Sequence, residues 1–267
     1  MKHGLELHMY ADDTQIYTSI CPVKSSEVLQ NVSKVEDCIT EVQAWMSTNF
    51  LKLNADKTDV IAIGFRAQLA KFHLQSVKVA GVDVLVETKP VRNLGVMFDP
   101  AMTMSAQVSS IIKTANFYLT NIGRVRRLLT VDATKLAVHT LVTSRLDYCN
   151  SLLIGISQKL KRRLNRVQRT AARLITKKCK FDSITPELIK LHWLPIQQRI
   201  DFKVIVLMFK ALHQQAPHYI IEVLQVGAER RLLRSNSSCS PYFVVPRTSH
   251  ITFADRAFSV SVADALT

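Results

Sequence analysis

Seven glycines in 267 residues leave little room for a phosphate-cradling loop, and none of them falls in a G-x-x-x-x-G-K or G-x-G-x-x-G pattern, which excludes the common nucleotide-binding loops. The five cysteines, Cys21, Cys38, Cys149, Cys179 and Cys239, are odd in number and scattered. With no C-x-x-C and no histidine at zinc-finger spacing, a disulfide framework and a structural zinc module are excluded, and reduced thiols are expected. His213 and His218 approach Cys179 only loosely along the chain and read as ordinary loop and helix histidines. There is no H-E-x-x-H helix and no G-x-S-x-G elbow, so neither a metalloprotease nor a serine hydrolase is supported. The longest apolar run, Val204 to Phe209, is far shorter than the roughly 20 residues a membrane-spanning helix needs. No signal-peptide-like segment opens the sequence. A soluble intracellular protein is expected, with nucleus and cytoplasm both left open.

Acidic residues are scarce in one region. Between Lys113 and Lys180 there are sixteen lysines and arginines against only Asp132 and Asp147, so this quarter of the chain carries the whole formal charge of +14. The remainder balances. A basic block of this kind points to a polyanion, nucleic acid before an anionic membrane surface.

What is present divides into two kinds of pattern. Up to about residue 100, strand-like alternation mixes with one long helix: Val28, Val32, Val35, Ile39, Val42 and Met46 recur at three- and four-residue spacing. The segment 51–64 carries a polar turn at Asn54 to Thr58 and then a strand from Val60 to Ile63. Ala80-Gly81 marks a hairpin, and "VRNLGVMFD" reads as one further strand. From Met104 onward the pattern is helical. Within "KLKRRLNRVQRTAARLIT", Leu160, Leu164, Val167, Ala171 and Leu174 form an apolar stripe, and Arg162, Arg166, Arg169 and Arg173 form a second stripe two positions on. Two positions are about 200° of helix rotation, so the arginines face away from the apolar side. An ordinary solvated face mixes both signs for i,i+4 pairing; this one holds no acid, and contact with backbone phosphates is the reading. The stripe lacks aromatics, which argues against a membrane-surface helix. Further on, Pro195 breaks the chain before an amphipathic helix from Ile196 to Ala211, Trp193 reads as a core anchor more than a base-stacking platform, and 229–240 reads as a polar linker.

The stretch "LELHMYADDTQIYTSI" reads as strand, tight turn, strand, with Asp12 and Asp13 at the tip. Asp is common in turns because it caps local backbone, so the pair alone does not identify a site.

Taken in order, "YADD", "LKLNADKTDVIAIG", "VRNLGVMFD", "LVTSRLDYCNSLLIG", "LNRVQRTAARLIT" and "LHWLPIQQRIDFKVIVLMFKALHQQAP" resemble the carboxy-terminal part of the reverse transcriptase of jockey-like, LINE-type non-LTR retrotransposons. The resemblance covers almost the whole chain. It implies an RNA-directed DNA polymerase in which Asp12 is a metal ligand and Asp13 its partner, both serving two Mg2+ ions that activate the primer hydroxyl and stabilise the triphosphate. It further implies that Lys57 neutralises the departing pyrophosphate on a turn shaped by Asn54 and Thr58. Tyr10, Leu94 and Gly95 would meet the primer, and Arg162, Arg166, Arg169 and Arg173 the template–primer duplex. Family members carry fingers and most of the palm, including a further catalytic aspartate, ahead of YADD, whereas Tyr10 stands nine residues after Met1. The expectation is a polypeptide inactive alone, binding Mg2+ weakly or not at all, with RNA, DNA or their hybrid and a separate palm-and-fingers polypeptide as partners and no membrane. The alternatives are a non-catalytic nucleic-acid-binding or scaffold module and an inert retroelement remnant. The fold class expected is α+β: a partial palm with an incomplete antiparallel sheet and one long helix over 1–100, a basic thumb-like helical bundle over 101–180, and a C-terminal helical region with a loose tail over 181–267.

Overall fold

The structure, a computed structural model, describes residues 3–224 together with 257, 258 and 260; the linker expected at 229–240 and Cys239 lie outside the described residues. The fold is α+β, and the chain divides into two compact units, Met1–Thr103 and Met104–Thr267.

In the first unit β1 (Glu6–Tyr10) and β2 (Asp13–Tyr17) form an antiparallel hairpin, with Tyr10 opposite Asp13. Helix α1 (Ser25–Thr48) follows. It is held to β4 (Ser76–Val79) by Glu36, whose Oε1 accepts from the Lys78 N–H at 2.9 Å. Between them lie the short strand β3 (Val60–Ile61) and helix α2 (Arg66–Leu69). β4 turns into β5 (Val82–Glu87) through Ala80 and Gly81, both at positive φ (52° and 80°). That pair of left-handed residues is what a two-residue hairpin with the right-handed strand twist demands.

Two expectations are corrected here. The segment "VRNLGVMFD" is not one strand: it breaks into β6 (Val91–Asn93) and β7 (Val96–Phe98), paired antiparallel. Leu94 and Gly95 occupy the turn at φ 44° and 80°, and Gly95 supplies the backbone freedom that makes the reversal cheap. Nor do the described strands join in one antiparallel sheet. The described strands form three small sheets, β1-β2, β3-β5-β4 and β6-β7, and β3 runs parallel to β5. Strands of two to six residues offer few ladder bonds, and Gln15 Nε2 donating to Asn93 Oδ1 at 3.3 Å is a side-chain link, not a ladder.

The second unit is helical: α3 (Ser105–Val125), α4 (Val131–Val138), a π-helical turn (His139–Thr143) running into α5 (Ser144–Asp147), a 3₁₀ turn (Asn150–Leu153), α6 (Gln158–Thr176), α7 (Thr185–Lys190), α8 (Ile196–Leu212) and α9 (His218–Val223). α3 buries Val108, Ile111, Ala115, Leu119 and Ile122, one side of the helix at three- and four-residue spacing. α8 buries Ile196, Ile200, Val204, Met208 and Ala211, the side expected from the sequence. The boundary drawn at 180 does not coincide with a gap in the packing. Ala172 of α6 shares a buried cluster with Ile184 and Leu188, against which Trp193 packs, and Gln168 of α6 donates to the Leu194 carbonyl at 2.7 Å. Among the described residues, no helix is long and apolar enough to cross a membrane.

Candidate nucleic-acid interface

α6 owes its stability to its inner side. Leu160, Leu164, Val167, Gln168, Ala171, Ala172 and Ile175 are buried, a wider stripe than the sequence pattern suggested, because α3, α4, α7 and α8 all pack against the helix. Leu174, placed in the stripe by periodicity, is half-buried at its edge, and Ile175 takes the deeper position.

The outer side carries Arg162, Arg166 and Arg169, all exposed. Among the described residues no acidic side chain pairs with any of the three. Their guanidinium groups leave the helix along about 10 Å of axis, close enough together to repel one another in the absence of an anion. The first turn adds to this imbalance: it holds Lys159 and Lys161 and no acid, so cations sit at the helix end where the backbone dipole is already positive. A bound polyanion would relieve both terms.

Arg173 does not belong to this free row. It is half-buried, and it donates from Nε to the Cys179 carbonyl at 3.2 Å and from Nη2 to the Asp182 carbonyl at 3.4 Å. The Asp182 carboxylate in turn accepts from the Cys179 N–H at 2.8 Å. Arg173 therefore folds the turn that follows α6, whose last residue is succeeded by Lys177 at φ 56°. Arg163 is similarly engaged, with Nη2 donating to Ser109 Oγ of α3 at 3.2 Å.

In the first unit Asp12 sits in the β1–β2 turn beside Ala11, which adopts φ 53°, and Asp13 opens β2; both are exposed, as is Tyr10 at 65%. Lys57 is exposed on a 3₁₀ turn, Ala55–Lys57. Asn54 Oδ1 accepts from the Asp56 N–H at 3.1 Å, and Thr58 Oγ1 donates to the Asn54 carbonyl at 2.9 Å, so these two residues shape that turn. Leu94 and Gly95 stand in the β6–β7 turn, not in a strand. Mg2+ demands six oxygens in near-octahedral array and dehydrates reluctantly. Two neighbouring carboxylates on a solvated turn supply too little of that shell, and among the described residues no three His, Cys, Asp or Glu side chains are grouped so as to hold a metal. These residues do not by themselves fit the implied ion pair.

Sequence reasoning missed one polar centre. Arg199 of α8 grips the Asp147 carboxylate, its Nη1 lying 2.8 and 2.7 Å from the two oxygens. The partners are 52 positions apart, and nothing in the local pattern of either segment announces the pairing. A scan against protein-family models, a search of the curated proteins and a search of the solved structures each found no match to the chain.

Proposed function

We propose that this chain is a piece of an RNA-directed DNA polymerase of the non-LTR retrotransposon kind, and that its own capacity is to hold the nucleic-acid backbone on the outer side of α6. The observation that carries the binding reading is the row of exposed Arg162, Arg166 and Arg169 on a helix whose opposite side is fully packed. Such a surface neutralises phosphates and releases condensed counterions, so its affinity depends steeply on salt and carries no base information. The polymerase part of the reading rests on the ordered sequence blocks described above. The exposed Asp12–Asp13 turn favours binding over catalysis, because two solvated acids neither fix a metal pair nor exclude water from it.

The test is a salt titration of binding to an RNA–DNA hybrid. The wild-type plot of log affinity against log salt is expected to be steep, and Arg162→Gln/Arg166→Gln/Arg169→Gln to flatten its slope by roughly 2–3, at about 0.9 for each duplex phosphate that the variant no longer neutralises. Equal binding by both proteins removes α6 from the interface. Primer extension with Mg2+ or Mn2+ is expected to be absent; extension that Asp12→Ala abolishes would show a working active site and overturn the non-catalytic part of the reading.

A further inference from the structure

The second unit contains a concavity of about 340 Å³ between the end of α5, the turn after α7 and α8. One wall is the Arg199–Asp147 pair, which is braced by Arg199 Nε donating to the Leu194 carbonyl at 2.9 Å. Behind it Asn150, 4% exposed, donates from Nδ2 to the Arg199 carbonyl at 3.4 Å, while its Oδ1 is shut from solvent and has no hydrogen-bond partner.

The rim differs in character. Phe202 leaves 59% of its surface exposed, Leu194 46%, and Lys203 and His192 are solvent-facing. His192 is held at φ 54°, a backbone conformation that costs an ordinary residue energy. An accessible ring and a neighbouring aliphatic side chain, a lysine and an imidazole on the same rim, and a carboxylate with lone pairs still open beyond its arginine form a mixed set. Each has a counterpart in one ligand class.

We infer that this concavity takes a single unstacked nucleotide: the base against Phe202 and Leu194, the phosphate toward Lys203 and His192, and base or ribose donors toward the Asp147 carboxylate. The volume lies in the range of small-ligand sites. The fixed charges, Arg199 and Lys203 against Asp147, leave one positive charge for the phosphate. Base–aromatic stacking tolerates any base, so the site is indifferent to sequence. A free mononucleotide and the unpaired last nucleotide of a strand present the same chemistry. None of the α6 arginines contributes, so the site is independent of the duplex-binding surface.

Calorimetric titration of the full chain tests it, with each 5′-monophosphate, with inorganic phosphate, and with a blunt duplex against one bearing a single-nucleotide overhang. Binding of at least one nucleotide form, tighter than inorganic phosphate, is expected. Phe202→Ala should weaken it roughly five- to a hundredfold and Lys203→Gln to a smaller extent. Monophosphate binding with no preference for the overhang over the blunt duplex assigns the site to free nucleotides; a preference for the overhang assigns it to a strand end. The inference fails if neither form binds, if inorganic phosphate binds as tightly as the nucleotides, or if the Phe202 and Lys203 variants bind like wild type. Both side chains are exposed, so their removal spares the core, and Phe202→Leu provides a variant that keeps an apolar side chain without the ring.

Discussion

Arg126 shows how little a residue's charge alone says about its task. It belongs to the basic quarter of the sequence, yet only 7% of it is exposed. Its guanidinium donates from Nε to the Leu174 carbonyl at 2.8 Å, from Nη2 to the Ile175 carbonyl at 2.9 Å and from Nη1 to the Leu129 carbonyl at 3.0 Å. The first two are terminal carbonyls of α6, which lack partners within the helix and sit at the negative end of its dipole. Arg126→Gln is expected to lower unfolding free energy by about 2–3 kcal/mol, since several buried acceptors lose a charged donor. Its exposed neighbour offers the control: Arg127→Gln should stay within about 0.5 kcal/mol of wild type, and urea midpoints decide both. A second residue-level expectation concerns Cys38, whose thiol is pushed up by burial and, to a lesser extent, by the Glu41 carboxylate. The neutral thiol is therefore the favoured form at neutral pH, and thiolate appears only at more alkaline pH than for an ordinary cysteine. Alkylation followed by mass spectrometry should find Cys38 slower than the exposed Cys21 and Cys179, with its rate still climbing where an ordinary thiol has levelled off.

At the scale of the element, α6 combines two functions on one row of arginines. Periodicity places Arg162, Arg166, Arg169 and Arg173 on one side, and that placement is legible in the sequence because 3.6 residues per turn is a property of the backbone. The division of labour within the row is not legible, because it depends on where the chain goes after residue 176. Arg173 meets the Cys179 and Asp182 carbonyls only because the turn folds back over it. Arg173→Gln should accordingly cost about 1 kcal/mol of stability while leaving the salt slope of hybrid binding almost untouched, whereas Arg162→Gln should do the reverse. Denaturant unfolding and the salt titration, run on both variants, separate the two roles. The β6–β7 hairpin teaches a related lesson. A short apolar segment reads as one strand until two successive residues at positive φ reverse it, and Leu94-Gly95 lacks the Asn-Gly or Asp-Gly pair that signals such a turn most strongly.

For the whole molecule the contrast lies between the two units. The first buries Leu5, Val32, Val77, Val79 and Val96, while every residue of β1 is exposed and Trp45 and Phe50 stand 63% and 98% open. The second buries an apolar side chain at nearly every inward position of α3, α6 and α8. Burial of apolar surface is the main favourable term in folding, and local opening begins where it is thinnest. Hydrogen exchange should therefore run faster in Glu6–Tyr17 than in the central turns of α3 and α6. Strong protection of the hairpin, equal to that of α6, would contradict this account.

By itself the sequence determined the α+β class, the β1–β2 hairpin, the long α1, the helical second unit and the basic side of α6, because each follows from a local period of two or 3.6 residues and from turn chemistry. The tertiary structure alone decided that β3 runs parallel to β5, that the strands fall into three sheets, that Arg126 and Arg173 cap and brace while Arg162, Arg166 and Arg169 remain open, and that Asp147 and Arg199 meet beside a cavity. The β3–β5 pairing and the Arg126 and Asp147 contacts join residues 26 to 52 positions apart, and the Arg173 contacts depend on how the chain turns after α6; both are fixed by tertiary packing, which no local pattern encodes.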